Sequence, residues 1–253
     1  MKISAENKLI NHFKHVNSFS RKDLFNYFLQ SEGALNEGTL GWRIYGLKRK
    51  NILREVQRGL YTIDIKPVYT QEIGGILLKL AEVFTANYRN APYCIWHVSS
   101  LNEFTVHQFN RNNIIFETEK DLLESVAHTF ADGGYNSIKS SLYGQLISYV
   151  GARPVVLLQP LISRAPIQRG KSGKGKTVFV PTLEKMLVDI YVHENIFHFV
   201  QGAEMEKIFR HAIGRYAINY TTLLSYARRR GKEDGLRSYL QIHFPELVIN
   251  SKK

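Results

Sequence analysis

Apolar positions recur at helical spacing in three separate runs within the first 50 residues of the chain. The first run predicts an amphipathic helix and consists of Leu9, Ile10, Phe13 and Val16. The second run follows Ser20, a favourable N-cap, with Asp23 three residues later as in a capping box, and it ends at Gly33. Its apolar face consists of Leu24, Phe25, Tyr27 and Phe28.

The third run predicts a helix from about residue 36 to residue 50. Its inner face carries Leu40, Ile44 and Leu47. At about 3.6 residues per turn, the outer face carries Thr39, Trp42, Gly46 and Arg49, with Arg43 and Lys50 on one flank and Tyr45 on the other. Cations, a hydroxyl and an aromatic ring suit contact with duplex DNA. The alternative is a solvated basic face, with Trp42 packed against the segment that follows.

That following segment predicts a β-hairpin. Residues 52–56 alternate in polarity, residues 57–59 form a turn with Gly59, and residues 60–63 return. Helix, helix and hairpin in this order are typical of a winged helix-turn-helix, a DNA-binding fold in which the hairpin is the wing. We expect groove contacts from Thr39, Trp42, Arg43 and Arg49. We expect contacts that position the DNA backbone from Arg21, Lys50, Arg54 and Arg58.

The remainder of the chain predicts a larger α+β domain with a helical C-terminal tail. Pro67 disfavours a helix before it, so we place the domains at residues 1–66 and 67–253. The pattern predicts a long helix over residues 71–88, strands over 93–98, 113–117 and 155–159, and helices over 101–109 and 121–130. From residue 182 onward it is almost wholly helical, beginning with the face of Leu183, Met186, Leu187 and Ile190.

Charge strengthens the DNA interpretation. The chain has 34 Lys and Arg against 22 Asp and Glu, a formal net charge of +12, which favours polyanionic partners. Residues 1–66 hold twelve of these cations and six of the acids, a net +6. Lys79 and Glu82 interrupt the longest apolar run, and residues 1–15 lack the apolar core of a signal peptide. With Cys94 the single cysteine, we expect a reducing, cytoplasmic setting and no membrane partner.

These motifs resemble the AbiEi-type antitoxins of type IV toxin–antitoxin, or abortive phage infection, systems. The resemblance rests on the segments that begin at Ser20, Thr39 and Val56, the last ending Arg-Gly-Leu-Tyr. Weaker similarity covers residues 96–103, 181–189, 216–219 and 226–230, with Pro181 and Thr182 in reverse order relative to the family. The resemblance implies a repressor of its own operon and a nucleotidyltransferase toxin as functional partner, antagonised without a stable complex.

Other motifs favour no catalytic chemistry. Residues 170–177 fit the P-loop pattern, but a strand and Pro181 follow instead of a helix, so a hairpin tip or basic loop fits better. We expect a possible secondary basic patch from Arg169, Lys171, Lys174, Lys176, Arg228, Arg229 and Arg230. His193 and His198 are spaced one residue too far apart for a zincin helix, and no acid-x-Lys string lies on a core strand. We expect no catalytic residues, no metal and no cofactor.

The sequence therefore predicts a DNA-binding autoregulator and antitoxin that recognises double-stranded operator DNA. Two alternatives remain open. One is a phage-defence nuclease targeted by the winged helix, and the other is a winged-helix regulator that senses a ligand through the second domain.

Overall fold

The computed structural model describes residues 4–109, 113–143, 154–170, 176–245 and 247. Its N-terminal unit, up to residue 66, contains three helices and three short strands. The helices are α1 (Ala5–Phe13), α2 (Arg21–Glu32) and α3 (Glu37–Arg49). The strands are β1 (Phe19–Ser20), β2 (Arg54–Gln57) and β3 (Leu60–Thr62). Helices and hairpin thus follow the order that the sequence predicts.

Local side chains fix the ends of α2 and α3. The Ser20 hydroxyl accepts from the Asp23 amide while the Asp23 carboxylate accepts from the Ser20 amide, which completes the predicted capping box. Gly33 ends α2 in the left-handed region at φ 77°. The Asn36 side chain caps α3 by accepting from the Thr39 amide. The prediction that Val16 lies on the first helix is wrong, because α1 ends at Phe13 and Val16 is 45% exposed.

The N-terminal unit has its own core and a small sheet of order β1-β3-β2. Its buried members come from all three helices and the hairpin: Leu9, Phe13, Phe19, Leu24, Leu40, Ile44, Leu53 and Tyr61. Strand β1 was not predicted. It has two residues and no alternation of its own, and it forms by pairing Phe19 with Tyr61 and Ser20 with Leu60.

The larger part of the chain is a mixed sheet covered by helices. Its helices are α4 (Gly75–Asn87), α5 (Leu123–Asp132), α6 (Leu183–Val192), α7 (Ala203–Arg215), α8 (Tyr220–Arg229) and α9 (Glu233–His243). Its strands are β4 (Tyr93–His97), β5 (Ile114–Thr118), β6 (Ser137–Lys139), β7 (Val156–Pro160), β8 (Ile167–Gly170) and β9 (Val178–Pro181). The main sheet has the order β4-β5-β7-β6, with β4 antiparallel to β5 and the other pairs parallel. The chain is therefore α and β mixed, with a helical C-terminal stretch.

Alternate residues of the central strands feed two cores on opposite faces of this sheet. Ile114 and Phe116 pack with α4 and α5, whereas Ile115 between them packs with the C-terminal helices. Because both faces are covered, these strands are apolar almost throughout. None of the described helices combines the length and apolar character that a membrane span requires.

The predictions for the larger part differ from the structure at the ends of helices, in one predicted helix and at an edge strand. Helix α4 begins at Gly75, four residues later than predicted. In place of the helix predicted over residues 101–109, the structure has a 3₁₀ helix that begins earlier and ends earlier, Val98–Phe104. Beyond its end, the chain turns back so that the Asn102 carboxamide hydrogen-bonds to both the amide and the carbonyl of Phe109. Strand β6 was missed because it is a three-residue edge strand without apolar alternation.

Candidate nucleic-acid interface

An exposed aromatic stripe runs along the outer face of α3. Trp42 is 77% exposed and Tyr45 is 59% exposed, and their rings meet edge to face with centroids 6.2 Å apart. Arg49, a turn beyond Tyr45, is also exposed, whereas Leu40 and Ile44 face the core. Solvation of Trp42 contradicts the alternative in which it packs against the hairpin. Large exposed aromatic side chains side by side commonly mark a contact surface.

Most other cations of α2 and α3 are held by carboxylates of the same unit. Arg43 forms a bidentate pair with Glu32 of α2 and lies over the Phe28 ring, 4.8 Å from its centroid, so it ties α3 to α2. Hydrogen bonds from Arg43 lower the pKa of Glu32. Three further pairs are Arg21–Glu37 at 2.8 Å, Lys48–Glu55 at 2.8 Å and Lys50–Glu6 at 2.5 Å. The predicted contacts Arg21, Arg43 and Lys50 are thus engaged within the protein.

Three cations near the stripe keep no such partner. Lys22, Arg49 and Arg58 are exposed, and within the described residues none has a carboxylate oxygen within 4.0 Å. Lys22 lies beside the hairpin turn, because the amide of Arg21 donates to the carbonyl of Gly59 at 3.0 Å. Sequence reasoning overlooked Lys22 and left Tyr45 at the flank. Its spacing from Trp42 could have identified Tyr45, because residues three apart are neighbours on the surface of a helix.

The hairpin that the sequence predicts as a wing packs against the C-terminal helices. The Arg58 amide donates to the Thr221 hydroxyl of α8 at 3.0 Å, and Val56 packs against the larger core. The Arg54 side chain is half-buried between the hairpin and these helices. Burial lowers the pKa of Arg54, against the attraction of the more distant Glu184. Arg54 therefore lies off the exposed surface, whereas the Arg58 side chain remains on it. Thr39, at the start of α3, is half-buried.

The residues predicted as a secondary basic patch occupy separate elements. Arg169 is exposed on β8, and Lys176 just before β9 pairs with Glu82 of α4 at 2.5 Å. Arg228 and Arg229 are exposed at the end of α8, where Arg229 donates to the carbonyl of Arg164 at 2.7 Å. Lys171 and Lys174 lie outside the described residues. Strands β8 and β9 pair antiparallel on either side of the Gly- and Lys-rich segment, so a hairpin replaces the strand-to-helix turn of a P-loop.

A buried charge cluster joins the sheet to α6. The Lys185 ammonium lies 2.5 Å from the Glu117 carboxylate of β5 and 2.5 Å from the Asp189 carboxylate, and all three side chains are 0% exposed. The Gln159 amide donates to Glu117 at 3.0 Å, and the Tyr226 hydroxyl donates to Asp189 at 3.0 Å. Burial raises the pKa of Glu117, against the nearby Lys185. The cluster thus ties α6 to β5 and to α8.

Histidine 193 lies at the edge of this cluster. Helix α6 ends at Val192, so His193 and His198 do not share a helix as zincin ligands would. The Arg230 guanidinium donates to His193 Nε2. Burial, and then the charge of Arg230, lower the pKa of His193 to about 4. Among the described residues, no group of three or more His, Cys, Asp or Glu side chains is arranged to hold a metal.

Comparison with known proteins gives one family. The model of a family described as "Family of unknown function (DUF6577)" matches residues 39–246, which span nearly all of α3, the hairpin and all the elements up to α9. None of the curated proteins matches the chain.

Proposed function

The chain belongs to the family of unknown function DUF6577, and we propose that this member binds duplex DNA through α3 and the neighbouring turns of its N-terminal unit. The observation that carries the proposal is the solvated stripe of Trp42, Tyr45 and Arg49. It lies on the helix that a winged helix-turn-helix uses to enter the major groove. The net charge of +6 over residues 1–66 supplies the attraction to the polyanion.

Each exposed group has a role suited to its chemistry. Trp42 and Tyr45 offer apolar ring edges and faces to thymine methyl groups and sugars, and Arg49 offers a fork to guanine or to phosphate. Lys22 at the start of α2 offers its exposed ammonium to a phosphate. Arg58 is exposed in the hairpin turn beside the start of α2 and offers a second cation to the DNA backbone there. Exposed ion pairs such as Arg21–Glu37 contribute at most about 1 kcal/mol, so a phosphate can displace Glu37 from Arg21.

The biological setting that we propose is regulation of the protein's own operon as the antitoxin of a type IV system. This step rests on the resemblance of the segments at residues 20–24, 39–53 and 56–61 to AbiEi-type antitoxins. The DNA is then the operator upstream of the gene. The partner is a nucleotidyltransferase toxin, which is antagonised without a stable complex.

The decisive experiment is binding of the full chain to a labelled fragment from upstream of its own gene. Random competitor DNA is added, and salt is varied from about 50 to about 200 mM. We expect binding that resists the competitor, weakens steeply with salt and leaves the DNA intact with or without Mg²⁺. Sequence-blind binding would contradict the operator role, and Mg²⁺-dependent cleavage would favour the nuclease.

A paired substitution tests the α3 stripe itself. Arg49→Ala should weaken operator binding by roughly 1–3 kcal/mol and relax sequence preference if Arg49 reads a base edge. The matched control is Lys8→Ala, which removes an exposed cation from α1. Lys8 is two residues from Glu6, so it points about 200° around the helix from the side chain that contacts Lys50 of α3. An equal loss on all DNA sequences would leave Arg49 as a phosphate contact, and equal effects of both variants would contradict the interface.

A further inference from the structure

A cavity separates the hairpin from the C-terminal helices. Its volume is about 290 Å³, at the small end of the range for ligand pockets. One wall comes from β2 and the segment after β3, and the other from α7, the start of α8 and Phe244. The side chains that matter for what it holds are Arg54, Asp64, Lys66, Arg210, Tyr216 and Tyr220.

The cavity is cationic, since it is lined by three cations and the one acid Asp64. Two of the cations are engaged. Lys66 lies 3.0 Å from Asp64 and donates to the Ile213 carbonyl, and Arg210 pairs with Glu206 at 2.8 Å. The third cation, Arg54, is half-buried and has neither a carboxylate oxygen within 4.0 Å nor a hydrogen-bond partner among the described residues. Glu184 and Asp64 attract Arg54 only from beyond 4.0 Å. Withdrawing a guanidinium from water without a directly paired carboxylate is unfavourable.

An anion in the cavity would remove this cost. The remaining wall is largely apolar and aromatic, with Val56, Ile213, Ile218 and Phe244 beside the two tyrosines. A ligand that matches both features has one anionic head for the Arg54 fork and a short apolar or aromatic body. The planar guanidinium pairs with phosphate or carboxylate oxygens through two parallel hydrogen bonds.

We propose that this cavity binds a small organic anion, a monophosphate or carboxylate with a compact apolar body, whose head group pairs with Arg54. Binding to the isolated protein does not depend on DNA binding. The site bridges β2 and α7, so a ligand in it contacts the hairpin and the C-terminal helices together. The hairpin wall of the cavity also contacts α3, since Lys48 of α3 pairs with Glu55 of β2 at 2.8 Å.

Calorimetry of the full chain without DNA tests the site. The probes are phenyl phosphate and benzoate, with phenol as the uncharged control of the same body. We expect saturable binding of at least one anionic probe and none of phenol. Arg54→Gln should weaken that binding at least tenfold, whereas Arg89→Gln, which removes an exposed guanidinium that follows α4 and does not line the cavity, should leave it unchanged.

Two results would overturn the proposal: no binding of either anion by the wild-type protein, or equal loss in both variants. Thermal unfolding without a probe establishes that Arg54→Gln folds. If it does not fold, Lys66→Gln replaces it, with the same expected direction. The bound probe should also raise the midpoint of thermal unfolding of the wild type and not of the variant. Failure here leaves operator binding untouched, and failure of operator binding leaves the cavity's ligand binding measurable.

Discussion

Acidification should destabilise this protein through His193, whose neutral ring is built into the fold. The side chain is mostly buried at the end of α6, and its Nε2 accepts from the Arg230 guanidinium. Burial and then the Arg230 charge lower the pKa to about 4, from an ordinary value of 6.5. Lys185 adds to this effect and Asp189 opposes it. Protonation would remove the acceptor and place two cations in contact.

The sign and magnitude follow from proton linkage. Below pH 6.5 the unfolded chain takes up a proton at this histidine while the folded protein does not, so stability is full above 6.5 and falls as the pH is lowered towards 4. One proton corresponds to about 1.4 kcal/mol per pH unit. The difference between the pKa of 6.5 in the unfolded chain and about 4 in the folded protein therefore predicts that His193 lowers the free energy of unfolding by roughly 3 kcal/mol at pH 4.

The assay is urea unfolding of the wild type and of His193→Gln at several values between pH 7 and pH 4. Because carboxylates titrate in the same range, the two proteins are compared by how much free energy of unfolding each loses between pH 7 and pH 4. Gln can still accept from Arg230 and does not titrate, so the variant should lose roughly 3 kcal/mol less on acidification. Arg230→Gln leaves His193 buried but removes the cation that repels its protonated ring. This variant should therefore lose less free energy of unfolding on acidification than the wild type, but more than His193→Gln does. Identical pH dependence of the wild type and His193→Gln would refute the reasoning.

Three further predictions concern other parts of the molecule. Lys185→Met leaves two buried carboxylates without their cation and should cost about 3–5 kcal/mol of unfolding free energy in urea; a loss below about 1 kcal/mol would mean that the carboxylates accept protons instead. Ser20→Ala removes the capping box of α2 and should cost about 1 kcal/mol in the same assay, with no cost if water replaces the cap. Iodide should quench the fluorescence of Trp42 alone, because Trp96 is 0% exposed, and Trp42→Phe should therefore abolish the quenching. Operator DNA should protect the fluorescence of the wild-type protein from iodide. Quenching that persists with saturating DNA would place Trp42 outside the interface.

Short-range interactions made the N-terminal unit predictable. The side chain of Ser20 and the carboxylate of Asp23 act over three residues, and Gly33 is suited to the left-handed end of α2. The spacing of Leu40 and Ile44 likewise defines the buried side of α3 and thereby the exposed one. The sequence identified the outer face of α3, but it gave no sign that Arg43 is turned towards Glu32 of α2.

Contacts between distant residues were beyond such reasoning. Arg54 alternates as a strand residue should, yet its half-burial depends on helices more than 150 residues later in the chain. The pairing of Lys185 with Asp189 has ordinary helical spacing, whereas its second partner Glu117 comes from a strand of the main sheet. From the sequence alone, a charged residue in an apolar strand or helix is predicted to be exposed. Only the packing of α6 on the sheet shows that these charges are buried.

The contact of the hairpin with Thr221 bears on how this protein can be engineered and on how it can diversify. An N-terminal unit cut at residue 66 would lose the partner of the Arg58 amide and the apolar surface on which Val56 packs. The unit is therefore not an interchangeable module, although it has a core of its own. Chimeras that test the proposed DNA contact of α3 should keep β2 and α8 from the same parent and exchange only the exposed positions of α3.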